Sequence, residues 1–370
     1  MKWGTFSLSQ IPDLSSVPET FSSDFEQFEL AEELGFDTIW IAEHLFSSYG
    51  VVTSTQVLAA ALAKATKNIK IGMAVVVMPF NHPLRTASDF ALVDILSEGR
   101  LLFGTGRAYQ PHEFDGLGIP MEDSRAMYDE ALELVLKAWT NEKIQHKGQF
   151  WNVPQPTEVL PKPLQKPHPP IYQAAISPES FAAAGRVGSA LQLASPFSYR
   201  TYRENWIDKI AESIKIYEQT CVEHGHDPKG AERMMLLPFF THENGKEARR
   251  IAREKIEWFY AKVTANQKSV SGQADEVKGY EFTMRESLKT LREGYLNFDK
   301  LYEFSAAIAD EPATCAKKLN NLRERLGITE FALWTNIGGM PAADSMAAMR
   351  LIMTEIAPSV NNMEDKAKVR

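Results

Sequence analysis

The sequence predicts a (β/α)8 TIM barrel with loop insertions, and three observations carry that prediction. Strand-like and helix-like segments alternate through eight strand–helix units, the order a parallel sheet wrapped by helices requires. Composition does not shift between the two halves, which argues for one domain over 1–370. The longest strand-like run, Ile69 to Met78, is apolar almost throughout, as a parallel strand buried on both faces should be.

The elements follow in order. Lys2 to Leu8 reads as the first strand. Thr20 to Leu34 follows as a helix with Phe21, Phe25, Phe28 and Ala31 at helical spacing. Thr38 to Ala42 is a short apolar strand and Thr53 to Lys64 a helix. The run from Ile69 stops at Pro79, after which Leu84, Ala87, Ala91 and Ile95 mark a helix face. Leu101 to Gly104 is the fourth strand. A glycine-rich connection leads to a helix over Ser124 to Asn141. The stretch Gln149 to Pro170 holds seven prolines. It cannot be a regular helix and reads as an extended excursion over the surface. Ile171–Ala175 and Ala190–Ala194 are strands around a helix from Ser177 to Arg186, and Tyr202 to Glu223 is a long helix. Arg233 to Thr241 is the seventh strand, followed by a helix from Gly245 to Tyr260. Residues 261–305 read as polar and irregular, an active-site lid inserted into the barrel order. Pro312 to Leu326 is helical, Glu330 to Trp334 the eighth strand, and Pro341 to Ile356 the last helix. The insertions are then 106–122, 142–170 and 261–305, and the tail 358–370 frays.

Composition narrows the function. The 370 residues carry 40 Lys plus Arg against 48 Asp plus Glu, a net charge of -8. A nucleic-acid partner needs a basic footprint, and the chain has none. Cys221 and Cys315 stand far apart in no metal-binding spacing, which fits a reducing compartment. No window reaches the ~20 apolar residues of a membrane span, and no leader is read at Met1–Phe6. The expectation is a cytoplasmic enzyme with neither membrane nor nucleic-acid partners.

Several motifs fail. Gly104-Thr105-Gly106 follows a strand, but Tyr109 occupies the third glycine position of a dinucleotide fingerprint. No phosphate-binding P-loop and no G-x-S-x-G elbow occurs. His224-Gly225-His226 reads as a helix cap, Glu32-Glu33 as a wet helix face, and Met346, Met349 and Met353 as packing of the last helix.

Three features stand above this background. His44 follows Glu43 at the end of strand two, the barrel face where catalytic groups collect. A catalytic histidine and a core histidine bonded to Glu43 or a loop carbonyl both fit that position. Arg107 and Arg125 flank the insert after strand four. They are either a pair of phosphate-binding forks or separate surface arginines. Ser177-Pro178-Glu179-Ser180 opens a helix with ordinary N-cap grammar, and the same N–H groups can also receive an anion.

At these residues the chain resembles the bacterial luciferase-like family of flavin-dependent monooxygenases. The likeness runs from Trp40–Phe46 through Ile71–Val75, Pro79, His82–Arg85, Asp94, Gly99–Leu101 and Phe103–Arg107. It continues through Ser124–Ala126, Pro170–Tyr172 and Ser177 to Pro312, Cys315, Leu326–Ile328, Leu333-Trp334, Gly338-Gly339 and Pro341. It covers nearly the whole chain and is weakest at 142–168 and 261–305. The resemblance implies a barrel that binds FMN, supplied reduced by a separate NAD(P)H-dependent flavin reductase. The implied cofactor contacts are Ala74 and Val75, joined by a cis peptide under the flavin ring, with Arg107, Arg125, Ala175, Ile176, Ser177 and Ser180. The family's active-site histidine falls on His44. Gly106 stands where bacterial luciferase has a reactive cysteine, which argues against light emission and implies more room beside the ring.

The function implied is a two-component monooxygenase that uses reduced FMN and O2 to oxygenate a small, mostly apolar organic substrate, with His44 as acid or base. Relatives of the same fold imply two alternatives: hydride transfer with the deazaflavin F420, or flavin binding without turnover. A homodimer is implied by the same resemblance.

Overall fold

The computed structural model describes residues 1–12, 17–268 and 277–361, without the side chains of 267 and 268. Eight parallel strands close on one another: β1 (Lys2–Ser7), β2 (Thr38–Ile41), β3 (Lys70–Met73), β4 (Leu101–Gly106), β5 (Ile171–Ala174), β6 (Ala190–Ala194), β7 (Arg233–Thr241) and β8 (Glu330–Trp334). Pairing runs in that order and β8 returns to β1, with Lys2 opposite Glu330 and Thr5 opposite Leu333. The outer layer is α1 (Val17–Leu34), α2 (Thr55–Ala65), α3 (Pro83–Leu96), α4 (Ser124–Thr140), α5 (Pro178–Val187), α6 (Trp206–Glu223), α7 (Pro312–Leu326) and α8 (Ala342–Leu351). Among the described residues, no helix is long and apolar enough to cross a membrane.

The strands are buried on both faces: every residue of β2, β4 and β8 is buried. The lower barrel is filled by the Trp40 indole, which needs glycine opposite it. A Cβ on Gly72 would sit 2.3 Å from the Trp40 ring. The indole Nε1–H donates to Glu330 Oε1 at 2.7 Å, so one buried aromatic and one buried carboxyl occupy the barrel floor.

Several boundaries depart from the sequence reading. The run from Ile69 to Met78 is broken: β3 ends at Met73, and Val76–Val77 resumes pairing with β4 beyond the Ala74–Val75 peptide. That peptide is cis. The insert 106–122 holds a helix, Pro111–Leu117, and 142–170 holds an antiparallel hairpin of Ile144–Lys147 with Asn152–Thr157. A helix at Ser195–Tyr202 precedes α6. Residues 261–305 are not irregular where they are described. The helix from Gly245 continues to Lys268, Glu281–Arg292 and Phe298–Glu303 are helical, and Ile308–Asp310 adds a strand beside β7. The polar composition that suggested a loop reflects the outer faces of these helices. Residues 269–276 of the expected lid lie outside the described residues. Of the tail expected to fray, 358–361 is helical and the remainder also lies outside them. Glu32 is no mere wet face: it accepts the backbone N–H groups of Lys67, Asn68 and Ile69, tying α1 to the entry of β3.

Candidate active site

One cavity opens at the C-terminal ends of the strands, where successive strands deliver short side chains and the loops deliver polar ones. His44, Ala74, Val75, Arg107, Arg125, Ala175, Ile176, Ser177 and Ser180 all line it. The chain brings together residues separated by more than a hundred positions.

At one side stands His44, buried at the end of β2. Its backbone N–H donates to the Val52 carbonyl, which fixes the strand end. Its Nδ1 lies 2.8 Å from Glu113 Oε1, and the same oxygen accepts the Leu45 N–H at 2.9 Å. The partner is therefore Glu113, not Glu43 and not a loop carbonyl. An Nδ1–H donating to that carboxylate leaves Nε2 as the free proton-handling atom. The imidazole meets the Tyr49 ring edge-on at 4.5 Å and the Tyr109 ring at 5.9 Å. Tyr49 and Tyr109 join their hydroxyls at 2.5 Å.

Glu43 turns the other way. Its Oε2 accepts the Val77 N–H at 3.1 Å, securing the chain just beyond the cis peptide. Burial pushes its carboxyl up to about 7, against the lowering effect of the Val77 and Asn81 hydrogen bonds. On the opposite wall, Gln192 Nε2 donates to the Met73 carbonyl at 2.7 Å, so both ends of the Ala74–Val75 segment are held by buried side chains.

Arg107 and Arg125 are half-buried at the other side of the cavity. The Arg107 guanidinium lies 4.0 Å over the Tyr280 ring and donates to the Gly279 carbonyl at 2.6 Å. Burial lowers its pKa, and the nearby Arg125 charge lowers it further. The two arginines are thus neighbours and not separate surface groups. Neither forms an ion pair within 4 Å among the described residues. Burial raises the carboxyl of Asp129, which sits in the field of Arg125, Arg186 and Arg107, and Glu179 also acts on Arg107, so cations outnumber anions here among the described residues.

The start of α5 has the helix-start grammar the sequence predicts, with Ser177 as N-cap and Pro178 in the first turn. Ser180 Oγ accepts the Ile176 and Ser177 N–H groups at 2.9 and 3.0 Å and donates to the Ser177 carbonyl. The Ile176 and Ser177 N–H groups are thereby used within the turn, and the Ser177 hydroxyl lies 3.5 Å from both Glu179 Oε2 and Ser180 Oγ, on the side of the nearby guanidiniums. Gly106 departs from the sequence reading. A Cβ there would lie 2.6 Å from Val75 Cγ2, so the space a cysteine would take is filled by Val75 and no extra room results.

Sequence reasoning missed Glu113, Tyr109, Tyr280 and Arg200. Glu113 and Tyr109 sit in an insert read as a plain connection, Tyr280 in a segment read as a loop, and Arg200 on the unrecognised helix Ser195–Tyr202. Their only local signal was the proline at the start of each of two short helices, Pro111 and Pro196.

The luciferase-like monooxygenase family model matches residues 1–330. The chain belongs to that family. The alkanal monooxygenase alpha chain of Photorhabdus luminescens is 26% identical over 361 residues, 97% of this chain and 96% of that one. The oxygenase component of a flavin-dependent trigonelline monooxygenase from Acinetobacter baylyi is 23% identical, covering 95% of this chain and 93% of its own. The crystal structure of the monooxygenase RslO1 from Streptomyces bottropensis superposes with a TM-score of 0.79 at 28% identity, over 97% of this chain and 99% of that chain. Family membership supports oxidoreductase chemistry of the flavin-dependent monooxygenase type.

Proposed function

We propose that this luciferase-like protein is the oxygenase of a two-component system. It takes reduced FMN from a separate NAD(P)H-dependent flavin reductase and, with O2, oxygenates a small organic substrate. The observation that carries the reading is the shared cavity. Two guanidiniums that form no ion pair among the described residues stand at one side, and a carboxylate-oriented histidine stands at the other. Two adjacent half-buried guanidiniums suit an anion, so the residues present fit a phosphate-bearing cofactor.

In this reading Arg107 and Arg125 hold the phosphate, with Ser177 as a hydroxyl donor and Ser180 bracing the turn. Ala74, Val75, Ala175 and Ile176 are small or apolar and let a flat ring approach the strand ends. Reduced FMN would supply the electrons that activate O2 for transfer to substrate. His44 Nε2 gives or takes the proton at the reacting oxygen, while Glu113 holds the imidazole in register. The aromatic walls keep water away from that exchange. The reading also keeps the single domain and cytoplasmic setting that composition suggests and takes a homodimer from the family resemblance, the last checked by sedimentation equilibrium.

The test is titration of oxidised and reduced FMN into the wild type, Arg107→Ala and Arg125→Ala, with F420 as the control cofactor. Each substitution should weaken FMN roughly ten- to hundredfold, the worth of a charge-assisted hydrogen bond of about 1.5–3 kcal/mol. Unchanged affinity in both variants, or tight F420 binding without FMN binding, would remove the proposal. Oxygen uptake with product release, using a generic flavin reductase, separates turnover from simple flavin storage.

A further inference from the structure

Arg200 is a buried cation that the proposed chemistry does not use. It sits on the helix Ser195–Tyr202, is 7% exposed, and lines the same cavity. Its Nε donates to Ser287 Oγ at 3.2 Å, and its Nη1 has no hydrogen-bond partner. It forms no ion pair among the described residues. Its neighbours are rings: the guanidinium carbon lies 5.6 Å from the Phe197 centroid and 5.9 Å from that of Tyr109. Burial raises the pKa of both Tyr49 and Tyr109, so these phenols stay neutral and supply no counter-charge. Buried charges in folded proteins are paired. A lone guanidinium facing a cavity is a site waiting for an anion.

We propose that Arg200 binds the carboxylate of a flat, aromatic or conjugated organic acid, which makes the substrate class organic acids rather than plain hydrocarbons or aldehydes. The planar fork of the guanidinium matches a carboxylate edge, and Tyr109 and Phe197, whose rings lie 4.8 Å apart, form flat walls for the acid's body. Tyr109 is the common neighbour of Arg200 and His44. An acid anchored at Arg200 therefore lies on the histidine side of the cavity. Arg107 and Arg125 leave Arg200 spare, because they already offer two cations to a phosphate. The inference rests on the oxygenase reading for the fate of the acid, but not for its binding.

The test is calorimetric titration of benzoate, cinnamate and nicotinate, each against its amide, into FMN-saturated wild type, Arg200→Gln and Arg200→Lys. At least one acid should bind the wild type tenfold or more tightly than its amide. Arg200→Gln should erase that preference, Arg200→Lys should keep a reduced part of it, and FMN affinity should stay within twofold in both variants. Equal binding of acids and amides by the wild type would overturn the proposal, as would a preference that survives in Arg200→Gln. Weakened FMN binding in Arg200→Gln would overturn it too, by assigning the guanidinium to the cofactor. If Arg200→Gln does not fold, a full preference retained in Arg200→Lys sinks the fork argument, and a preference cut at least threefold supports it. Absence of FMN binding by the wild type would defeat the oxygenase reading alone, and the acid–amide comparison would then be read on the cofactor-free protein.

Discussion

His44 and Glu113 show how much of the site rests on single atoms. Their 2.8 Å contact fixes which imidazole nitrogen faces the cavity. If His44 moves the proton, His44→Ala should leave FMN affinity within about twofold while product formation falls by roughly 10²–10⁴, the usual worth of a positioned acid or base. Product formed per NADH consumed is the readout, and full coupling in a stable variant would sink the role. Glu113→Gln should cost less, because its amide oxygen still accepts the Nδ1–H. Gly106 argues at the same scale. A Cβ there meets Val75 Cγ2 at 2.6 Å, so Gly106→Cys should lose about 1–3 kcal/mol by overpacking. Adding Val75→Ala should restore most of it. Urea midpoints of the single and double variants check this, and a single variant as stable as wild type would show that the wall gives way.

The elements around the cavity are tied by polar side chains more than by their own propensity. At α5, the Ser180 hydroxyl satisfies two backbone N–H groups at once. Ser180→Ala should therefore destabilise the protein by about 1–2 kcal/mol, the cost of a lost cap. If the hydroxyl instead serves phosphate, the same variant would keep its stability and lose FMN affinity. Denaturation and FMN titration on one preparation distinguish the two. The helix Glu281–Arg292 plays a matching part on the far wall. Just ahead of it, Tyr280 donates to the Ala108 carbonyl at 2.8 Å and lies under Arg107, so a segment that composition marks as loop positions a binding arginine. Tyr280 is legible as an aromatic in the sequence, but its partners lie about 170 residues away, and periodicity carries no information at that range.

Over the whole molecule, closing the barrel seals carboxyls inside it. Glu330 on the floor is fully buried, and burial raises its pKa from 4.5 to about 7, against the lowering effect of the Trp40 and Thr38 side chains. Below pH 4.5 both the folded and unfolded states hold this proton. Between 4.5 and 7 the unfolded chain has shed it and the folded chain has not, so this group's contribution to stability falls as pH rises. The loss is about 3 kcal/mol and is complete above pH 7. Glu330→Gln keeps the acceptor for Trp40 and removes the ionisation. Its stability should exceed that of the wild type at pH 8, and the gap should narrow towards pH 5. A constant gap across that range would show that ionisation is not the cause.

The sequence by itself determined the barrel. Eight apolar runs with helical stretches between them leave few ways to bury both faces of the strands, and that burial is recorded locally as hydrophobic pattern. It also placed His44 at a strand end and Arg107 just past β4, because strand ends are visible where apolar runs stop. Tertiary structure alone decided that Glu113 orients His44, that Arg107 and Arg125 are neighbours, that Val75 fills the space beside Gly106, and that Arg200 is buried with no counter-ion among the described residues. Those facts depend on how the ring closes and where the inserts fold back. A local pattern reports whether a residue is buried, but not which distant residue it will meet.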